Sequence, residues 1–181
     1  AVNDAPVLSN IGDLEFDEDS SISILLNASD IDGDVITYSI TQSDDITASL
    51  DDNNLTFNSN QDFNGSDTFT VTISDGQFDI LETFSVIVNP VNDSPIITSV
   101  SQSEILASEG YFYQVEVEDI DNDNFEYELI GSPLPNNITI NDSGLVSWLS
   151  DDIDIYITEF VISISDGEYT VYENINLSII L

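Results

Sequence analysis

The stretch Phe69-Thr70-Val71-Thr72-Ile73-Ser74-Asp75-Gly76 alternates large apolar with small hydroxyl side chains and then ends in an Asp-Gly pair. Successive side chains of a β-strand point to opposite faces of the sheet, so this alternation predicts a strand with one buried face. The Asp-Gly pair predicts the turn that follows it. The same pattern returns at residues 160–167 as Phe-Val-Ile-Ser-Ile-Ser-Asp-Gly. The chain therefore contains a repeat.

Two further motifs recur in the same order. The segment Val-Asn-Asp-Ala-Pro at residues 2–6 returns as Val-Asn-Asp-Ser-Pro at residues 91–95. The segment Asp-Ile-Asp-Gly-Asp at residues 30–34 returns as Asp-Ile-Asp-Asn-Asp at residues 119–123. Three motifs repeated at an offset of about 90 residues indicate tandem homologous domains. We predict that these are residues 1–91 and residues 92–181.

Apolar residues recur with a period of two throughout both halves, as in Ile22, Ile24 and Leu26 or in Tyr113, Val115 and Val117. Clusters of Asp, Asn, Ser and Gly separate these short runs, and no window has a helical period. Many short strands joined by turns are typical of an antiparallel sandwich. The predicted fold class is all-β, with two tandem Greek-key immunoglobulin-like β-sandwiches of about seven strands each.

The charge of the chain excludes several functions. Its 181 residues include 36 Asp and Glu and no Lys, Arg or His, which gives a formal net charge of −36. Without cationic side chains the protein has no basic patch for nucleic acid or anionic lipid, so we expect neither partner and no membrane insertion. It also lacks the His, Cys and Lys groups of most acid–base and nucleophilic catalysis, and no carboxylate pair is singled out by spacing. We therefore expect no enzymatic activity.

The same composition favours one class of metal. Zinc, copper and iron prefer nitrogen and sulfur ligands that this chain lacks, whereas calcium prefers the carboxylate oxygens that it has in excess. The absence of Cys removes disulfides and leaves a bound metal as the available cross-link. We predict Ca²⁺ as the cofactor.

The repeat, the acidic turns and the linker motif together resemble the cadherin-like domains that occur in tandem in large surface and secreted proteins. In the first half the resemblance is carried by the linker at residues 2–6, by Asp17-Glu18-Asp19, and by residues 30–40 and 64–76. The second half resembles the dystroglycan-type, putative-immunoglobulin branch of these domains through residues 134–140 and 143–147. It departs from that branch at Trp148, where the branch usually has Gly.

In cadherin-type proteins calcium lies between consecutive domains, so the resemblance implies two sets of ligands. For the junction within this chain it implies Glu18, Asp62 or Asp67, Asn92, Asp93, Asp119, Asp121 and Asp166. At the N-terminal end it implies half of an equivalent site, completed by a preceding domain, from Asn3, Asp4, Asp30, Asp32 and Asp75. The linker is shorter than that of true cadherins and the chain has no Asp-Arg-Glu motif, so we expect one or two ions per junction.

The implied function is a calcium-rigidified structural or adhesive segment of an extracellular, secreted surface protein or fibre. Its partners would be neighbouring repeats of the same polypeptide, identical subunits, or a cell-surface protein or glycan. A second interpretation is the repeating subunit of a homopolymeric surface filament or surface layer. A third is a carbohydrate-binding accessory module of a secreted enzyme.

Several residues are predicted to have plain structural roles. Trp148 and the tyrosines are expected in the core or on strand faces rather than on a sugar-binding platform. The pairs Asp44-Asp45, Asp51-Asp52 and Asp151-Asp152 are expected to be solvated loop charges.

Overall fold

The computed structural model describes residues 2–106, 109–131, 134–149 and 157–180. The chain forms two compact units, Ala1–Val91 and Asn92–Leu181, and each unit buries a hydrophobic core of its own. Strands and turns make up the described residues, which confirms the predicted fold class of tandem immunoglobulin-like β-sandwiches. The described part contains no helix long and apolar enough to cross a membrane.

Unit 1 is built from two sheets and a short strand pair. The larger sheet has the order β2-β9-β8-β5 and the smaller has the order β3-β7-β6, while β1 pairs with β4. All pairs are antiparallel except β2 and β9, which run parallel. The strands are β1 (Val7–Leu8), β2 (Leu14–Asp17), β3 (Ser21–Leu25), β4 (Ala28–Ser29), β5 (Thr37–Ile40), β6 (Ile46–Asp51), β7 (Asn54–Ser59), β8 (Gly65–Ser74) and β9 (Asp79–Asn89).

Three phenylalanines from the two sheets meet in the core of unit 1. Phe57 of β7 is fully buried, and its ring lies 4.9 Å from that of Phe69 and 6.1 Å from that of Phe84, both edge to face. Phe69 begins the alternating stretch described above, and Val71 and Ile73 of the same strand are also fully buried. The period of two therefore places these side chains in the core and their hydroxyl neighbours on the outer face.

Unit 2 repeats this topology, with sheets β11-β18-β17-β14 and β12-β16-β15 and the pair β10-β13. Again a parallel pair, β11 and β18, joins the start of the unit to its last strand. The described strands are β10 (Ile96–Ile97), β11 (Glu104–Leu106), β12 (Tyr111–Gln114), β13 (Val117–Glu118), β14 (Glu126–Ile130), β15 (Thr139–Ile140), β16 (Leu145–Trp148), β17 (Ile157–Ser165) and β18 (Thr170–Ile180).

The predicted core role of Trp148 is confirmed. Its side chain is 3% exposed, and its indole N–H donates a hydrogen bond to the Asn136 carbonyl at 3.0 Å. Tyr111 and Tyr113 are also buried, whereas Tyr172 is exposed. Asp51 and Asp52 are exposed at the β6–β7 turn, and Asp151-Asp152 lies outside the described residues.

Unit 1 has more strands than the expected seven, because the two-residue strands β1 and β4 are too short to show any alternation in sequence. The long hairpin of β8 and β9 connects the regions of two groups of predicted ligands. Asp75 lies at its turn, and Asn89 lies at the far end of β9. Eleven strand residues span about 35 Å. Asp75 and the groups around Asn89 therefore mark opposite ends of unit 1.

Candidate metal sites

The first acidic cluster lies at the N-terminal end of unit 1 and is called the Asp30 cluster (Asn3, Asp4, Asp30, Asp32, Asp34 and Asp75). Asp30 Oδ1 accepts hydrogen bonds from the backbone N–H groups of Asp32 at 2.8 Å and Asp34 at 3.3 Å. Gly33 between them has φ +81°, which glycine adopts without steric cost. This turn brings carboxylate oxygens of Asp30, Asp32 and Asp34 within 4.8 Å of one another.

The linker residues Asn3 and Asp4 are tied into this cluster. The Asp4 N–H donates to Asp32 Oδ2, and the Asn3 side-chain amide donates to Asp75 Oδ2, both at 2.8 Å. Asp75 Oδ1 accepts the backbone N–H groups of Phe78 and Gln77, each at 2.7 Å. The Phe78 hydrogen bond is the largest of the interactions that lower the pKa of Asp75. Asp75 is therefore ionised at neutral pH.

Unit 2 repeats this arrangement in the Asp119 cluster (Asn92, Asp93, Asp119, Asp121 and Asp166). The Asp93 N–H donates to Asp121 Oδ2, and the Asn92 amide donates to Asp166 Oδ2, both at 2.8 Å. The hydrogen bond from Asn92 is the largest cause of the lowered pKa of Asp166. In each unit the linker motif therefore donates hydrogen bonds to both the Asp-x-Asp turn and the Asp-Gly turn, and holds the two turns together.

The two turns differ at one position. Asn122 of unit 2 stands where unit 1 has Gly33. Asp119 Oδ1 accepts the N–H groups of Asp121 and Asn122, whereas Asp30 Oδ1 in unit 1 accepts those of Asp32 and Asp34. The Asn122 side-chain amide donates to Asn92 Oδ1 at 2.8 Å. Among these described residues, Asp123 does not join Asp119 and Asp121 in a three-carboxylate group, whereas Asp34 does so in unit 1.

A third set, the Glu18 cluster (Glu18, Asp19 and Asp62), lies at the opposite end of unit 1. Glu18 is 3% exposed, its N–H donates to the Asn89 carbonyl, and its Oε1 accepts the Val91 N–H at 2.7 Å. Carboxylate oxygens of Asp19 and Asp62 lie within 4.8 Å of each other. Both residues have positive φ, at +59° and +55°.

Asp67, the alternative to Asp62, lies elsewhere. It pairs with Val86 on β9, which is three residues or about 10 Å along the strand from Asn89. Its carboxylate accepts a hydrogen bond from the Ser43 hydroxyl, which in turn accepts the Ile46 N–H. Asp67 therefore braces the loop before β6, and the structure places Asp62 rather than Asp67 beside Asp19.

Each cluster contains a buried carboxylate oxygen that accepts no hydrogen bond: Glu18 Oε2, Asp30 Oδ2 and Asp119 Oδ2. A buried polar group without a partner costs about 1–3 kcal/mol, and more if it is charged. No side chain of this protein is cationic, so the chain itself cannot supply the missing positive charge. A hard divalent cation would supply it, and the all-oxygen donor sets suit calcium. The residues present therefore fit this ion.

Acid should weaken both units through Asp75 and Asp166. Each folded pKa lies below the ordinary value of 3.8, so the stability that these carboxylates contribute is present above that value and is lost as the pH falls through the lowered folded pKa. Urea unfolding in chelator between about pH 5 and pH 2 measures this loss. Asp75→Asn should flatten the pH dependence of unit 1. An unchanged slope would contradict the assignment.

Comparisons with known proteins agree with this fold. Residues 3–88 match the family model described as "Bacterial Ig domain". No curated protein sequence matched the chain. Human protocadherin-24 EC1-2 form II is similar in structure, with a TM-score of 0.65 and 16% identity over 99% of this chain and 100% of that chain.

Two longer structures are similar as well. Drosophila N-cadherin EC1-4 gives a TM-score of 0.63 with 16% identity, over 99% of this chain and 50% of that chain. The PcdhgB3 EC1-4 structure gives a TM-score of 0.66 with 19% identity, over the same two shares. At these identities the likeness shows the fold alone. The chain is thus a pair of tandem immunoglobulin-like, cadherin-like β-sandwiches, the first of which matches a bacterial immunoglobulin domain model.

Proposed function

We propose that this chain is a calcium-rigidified structural and adhesive segment of an extracellular surface protein or fibre, without catalytic activity. The observation that carries the proposal is the set of buried carboxylate oxygens without hydrogen-bond partners, in a chain of net charge −36 with no cationic side chain. The same arrangement occurs in both units, so it belongs to the repeat and not to one irregular loop.

The residues have distinct roles in this proposal. Carboxylates of Asp30, Asp32 and Asp34 hold calcium at the N-terminal end of unit 1, which a preceding domain completes. Of the ligands that the resemblance to cadherins implies, we propose that Glu18, Asp62, Asp93, Asp119 and Asp121 hold a second ion. Asn3 and Asn92 are positioning residues, because their amide N–H groups fix the orientation of Asp75 and Asp166.

Stiffening follows from electrostatics. Two carboxylates about 4 Å apart repel each other by roughly 1 kcal/mol in water and about 4 kcal/mol at the effective dielectric constant near a protein surface. Bound calcium supplies positive charge that converts this repulsion into attraction. We propose that consecutive domains are thereby held in a fixed orientation when calcium is present and move freely when it is removed.

Thermal unfolding with calcium and with chelator tests the proposal. Extracellular calcium modules bind with Kd of about 10⁻⁴–10⁻³ M. A tenfold excess over Kd adds about 1.4 kcal/mol per site. For domains of this size we expect calcium to raise the Tm by roughly 5–10 °C per site. The signal is circular dichroism in the far ultraviolet, which follows the sheets of both units.

Two controls separate specific binding from general screening of 36 carboxylates. Sodium chloride at matched ionic strength should raise the Tm far less than calcium, because monovalent ions screen without occupying a site. Magnesium should also be weaker, because it keeps its water ligands and demands octahedral geometry. Equal Tm values in calcium, in chelator and in matched salt would refute the proposal.

For unit 2 we propose membership of the dystroglycan-type branch of cadherin-like domains. The segment that carries this resemblance supplies the carbonyl of Asn136 to the indole of Trp148, the residue that departs from the branch. The buried tryptophan thus packs on the segment typical of the branch. As partners of the whole chain we propose neighbouring repeats or identical subunits.

A further inference from the structure

Three aromatic side chains with polar groups lie next to one another in the core of unit 2. Tyr111 of β12 pairs with Trp148 of β16, and Tyr113 follows on the same face of β12. All three are at most 6% exposed. The rings of Tyr111 and Tyr113 lie 6.2 Å apart. Directly paired residues on neighbouring strands have Cβ atoms about 5 Å apart. The three residues therefore form a continuous series, which we call the Trp148 row.

Unit 1 fills the same positions without phenol or indole groups. Ile22 of β3 pairs with Phe57 of β7, and Ile24 pairs with Leu55, in strands that have the places of β12 and β16 in the smaller sheet. The fold therefore does not require polar aromatic residues here. In unit 2 the buried Tyr111 hydroxyl has no hydrogen-bond partner within the described part of the chain, which lowers stability. Packing alone does not account for these hydroxyl groups.

A carboxylate lies in the core beside this row. Glu173 alternates on β18 with Val171 and Ile175, which pack in the core, so its side chain also points inward. The Tyr113 hydroxyl donates to the two carboxylate oxygens of Glu173, at 2.8 Å and 3.0 Å. The Ser99 hydroxyl lies 2.7 Å from the same phenol oxygen and is the donor to it, because a phenol has only one proton to give. The phenol proton of Tyr113 therefore points at a base.

Tyr113 keeps this proton in the resting protein. Burial, together with the hydrogen bond and the charge of Glu173, raises the pKa of Tyr113 to about 12. Removal of one electron reverses the preference, because the radical cation of a phenol is a strong acid. The proton then passes to the carboxylate that already accepts it. Tyr113 is therefore the phenol of the Trp148 row that loses an electron most readily.

The composition of the chain directs oxidation to such residues. The chain has no Cys, Met or His, so its readily oxidised side chains are one Trp and seven Tyr. The indole N–H of Trp148 donates to the Asn136 carbonyl at 3.0 Å, and an amide carbonyl is too weak a base to keep that proton. A Trp148 side chain that has lost an electron therefore stays a radical cation, which takes an electron from a nearby phenol.

We propose that the Tyr113–Glu173 pair is a redox site that receives one-electron oxidation from Trp148. A one-electron oxidant, such as a small inorganic radical, takes an electron from Trp148 and leaves as its anion. An electron then passes from Tyr113 to Trp148 through the intervening ring of Tyr111. The hydroxyl proton of Tyr113 passes to Glu173. The products are an intact indole, a neutral phenoxyl radical on Tyr113 and a protonated Glu173. This activity goes beyond the proposed structural role and does not depend on calcium.

Pulse radiolysis of the full chain with the azide radical tests this inference, in calcium and in chelator. The azide radical oxidises indole selectively, and transient absorption distinguishes the tryptophan radical from the tyrosine radical. In the wild type we expect the first to convert into the second at a rate that is independent of protein concentration and falls in heavy water. Tyr113→Phe removes the electron and proton donor, and Glu173→Gln replaces the base by a neutral amide. Each should slow the conversion at least about tenfold.

Tyr172→Phe is the matched control. Tyr172 precedes Glu173 on β18, is 59% exposed and faces away from the core, so its substitution should leave the rate unchanged. Tryptophan fluorescence after steady exposure to the oxidant gives a second measurement. Tyr113→Phe should lose this fluorescence faster than the wild type and faster than Tyr172→Phe. Circular dichroism establishes that each variant is folded.

Three results would overturn the inference. A tryptophan radical that decays without forming a tyrosine radical would show that no electron transfer takes place. Equal rates in the wild type and in Glu173→Gln would show that the carboxylate is not the base. A larger effect of Tyr172→Phe than of Tyr113→Phe would locate the radical on the exposed tyrosine. None of these results bears on calcium binding, which is read from the Tm.

Discussion

Replacing Phe57 by alanine is expected to unfold unit 1 under conditions in which unit 2 remains folded. The buried ring packs edge to face against Phe69 and Phe84, and its removal leaves a cavity between the two sheets. Phe-to-Ala changes in cores cost about 3–5 kcal/mol. A typical domain has a total stability of only 5–15 kcal/mol. Phe57→Leu keeps most of the volume and should cost clearly less.

The chain offers a clean measurement of this effect. Trp148 is its one tryptophan and lies in the core of unit 2, so its fluorescence reports unit 2 alone. Circular dichroism reports the strands of both units. In urea with chelator, Phe57→Ala should move part of the dichroism transition to lower urea and leave the fluorescence transition in place. A fluorescence transition that shifts equally would show that the two cores do not unfold separately.

Glu18→Gln is expected to remove the stabilisation that calcium provides at the Glu18 cluster without reducing stability in chelator. Glutamine keeps an oxygen that can accept the Val91 N–H, and it removes the charge of a carboxylate whose Oε2 is buried without a partner. Without metal the change should therefore be neutral or stabilising. In calcium, loss of one carboxylate ligand should lower the affinity for the ion about 100-fold. The increase in the free energy of unfolding that calcium provides would then fall from about 1.4 kcal/mol to about 0.1 kcal/mol.

Asp67→Asn is the matched control for this experiment. It removes the same unit of charge from unit 1, but the carboxylate of Asp67 accepts a hydrogen bond from Ser43 away from Glu18. We expect it to lower the Tm by similar amounts with and without calcium and to keep the calcium-dependent gain. If Asp67→Asn abolishes the gain and Glu18→Gln preserves it, the ligand assignment is wrong. The readout is the difference between Tm in calcium and Tm in chelator.

The sequence was sufficient to predict the fold because its signal is local and repeated. The alternation around Val71 depends on neighbouring residues alone, and Phe69, Val71 and Ile73 are indeed fully buried. The parallel pairing of β2 with β9 joins residues more than 70 positions apart, and no local pattern encodes it. The same holds for the separation of Asp62 from Asp67, which follows from strand register.

The candidate sites were predictable in part for the same reason. The Asp-x-Asp and Asp-Gly turns are local motifs, and the structure brings Asp30, Asp32 and Asp75 together with the linker in unit 1. Asp34 was missed, although Gly33 was the available signal, since a glycine with positive φ allows the turn to bring in a third carboxylate. Asp19 was also missed. Its position depends on a positive φ at a non-glycine residue, which the sequence does not reveal.

The parallel pairs β2–β9 and β11–β18 also determine how each unit would respond to tension. In each unit a strand near the N-terminal end lies parallel to the last strand. In unit 1 the paired residues run from Leu14 opposite Val86 to Asp17 opposite Asn89. Pulling the two ends of a unit apart drags these neighbours in opposite directions along their length. The hydrogen bonds between them are then loaded in shear, all at once, instead of being peeled open one after another. We therefore expect each sandwich to resist extension through the hydrogen bonds of its parallel strand pair.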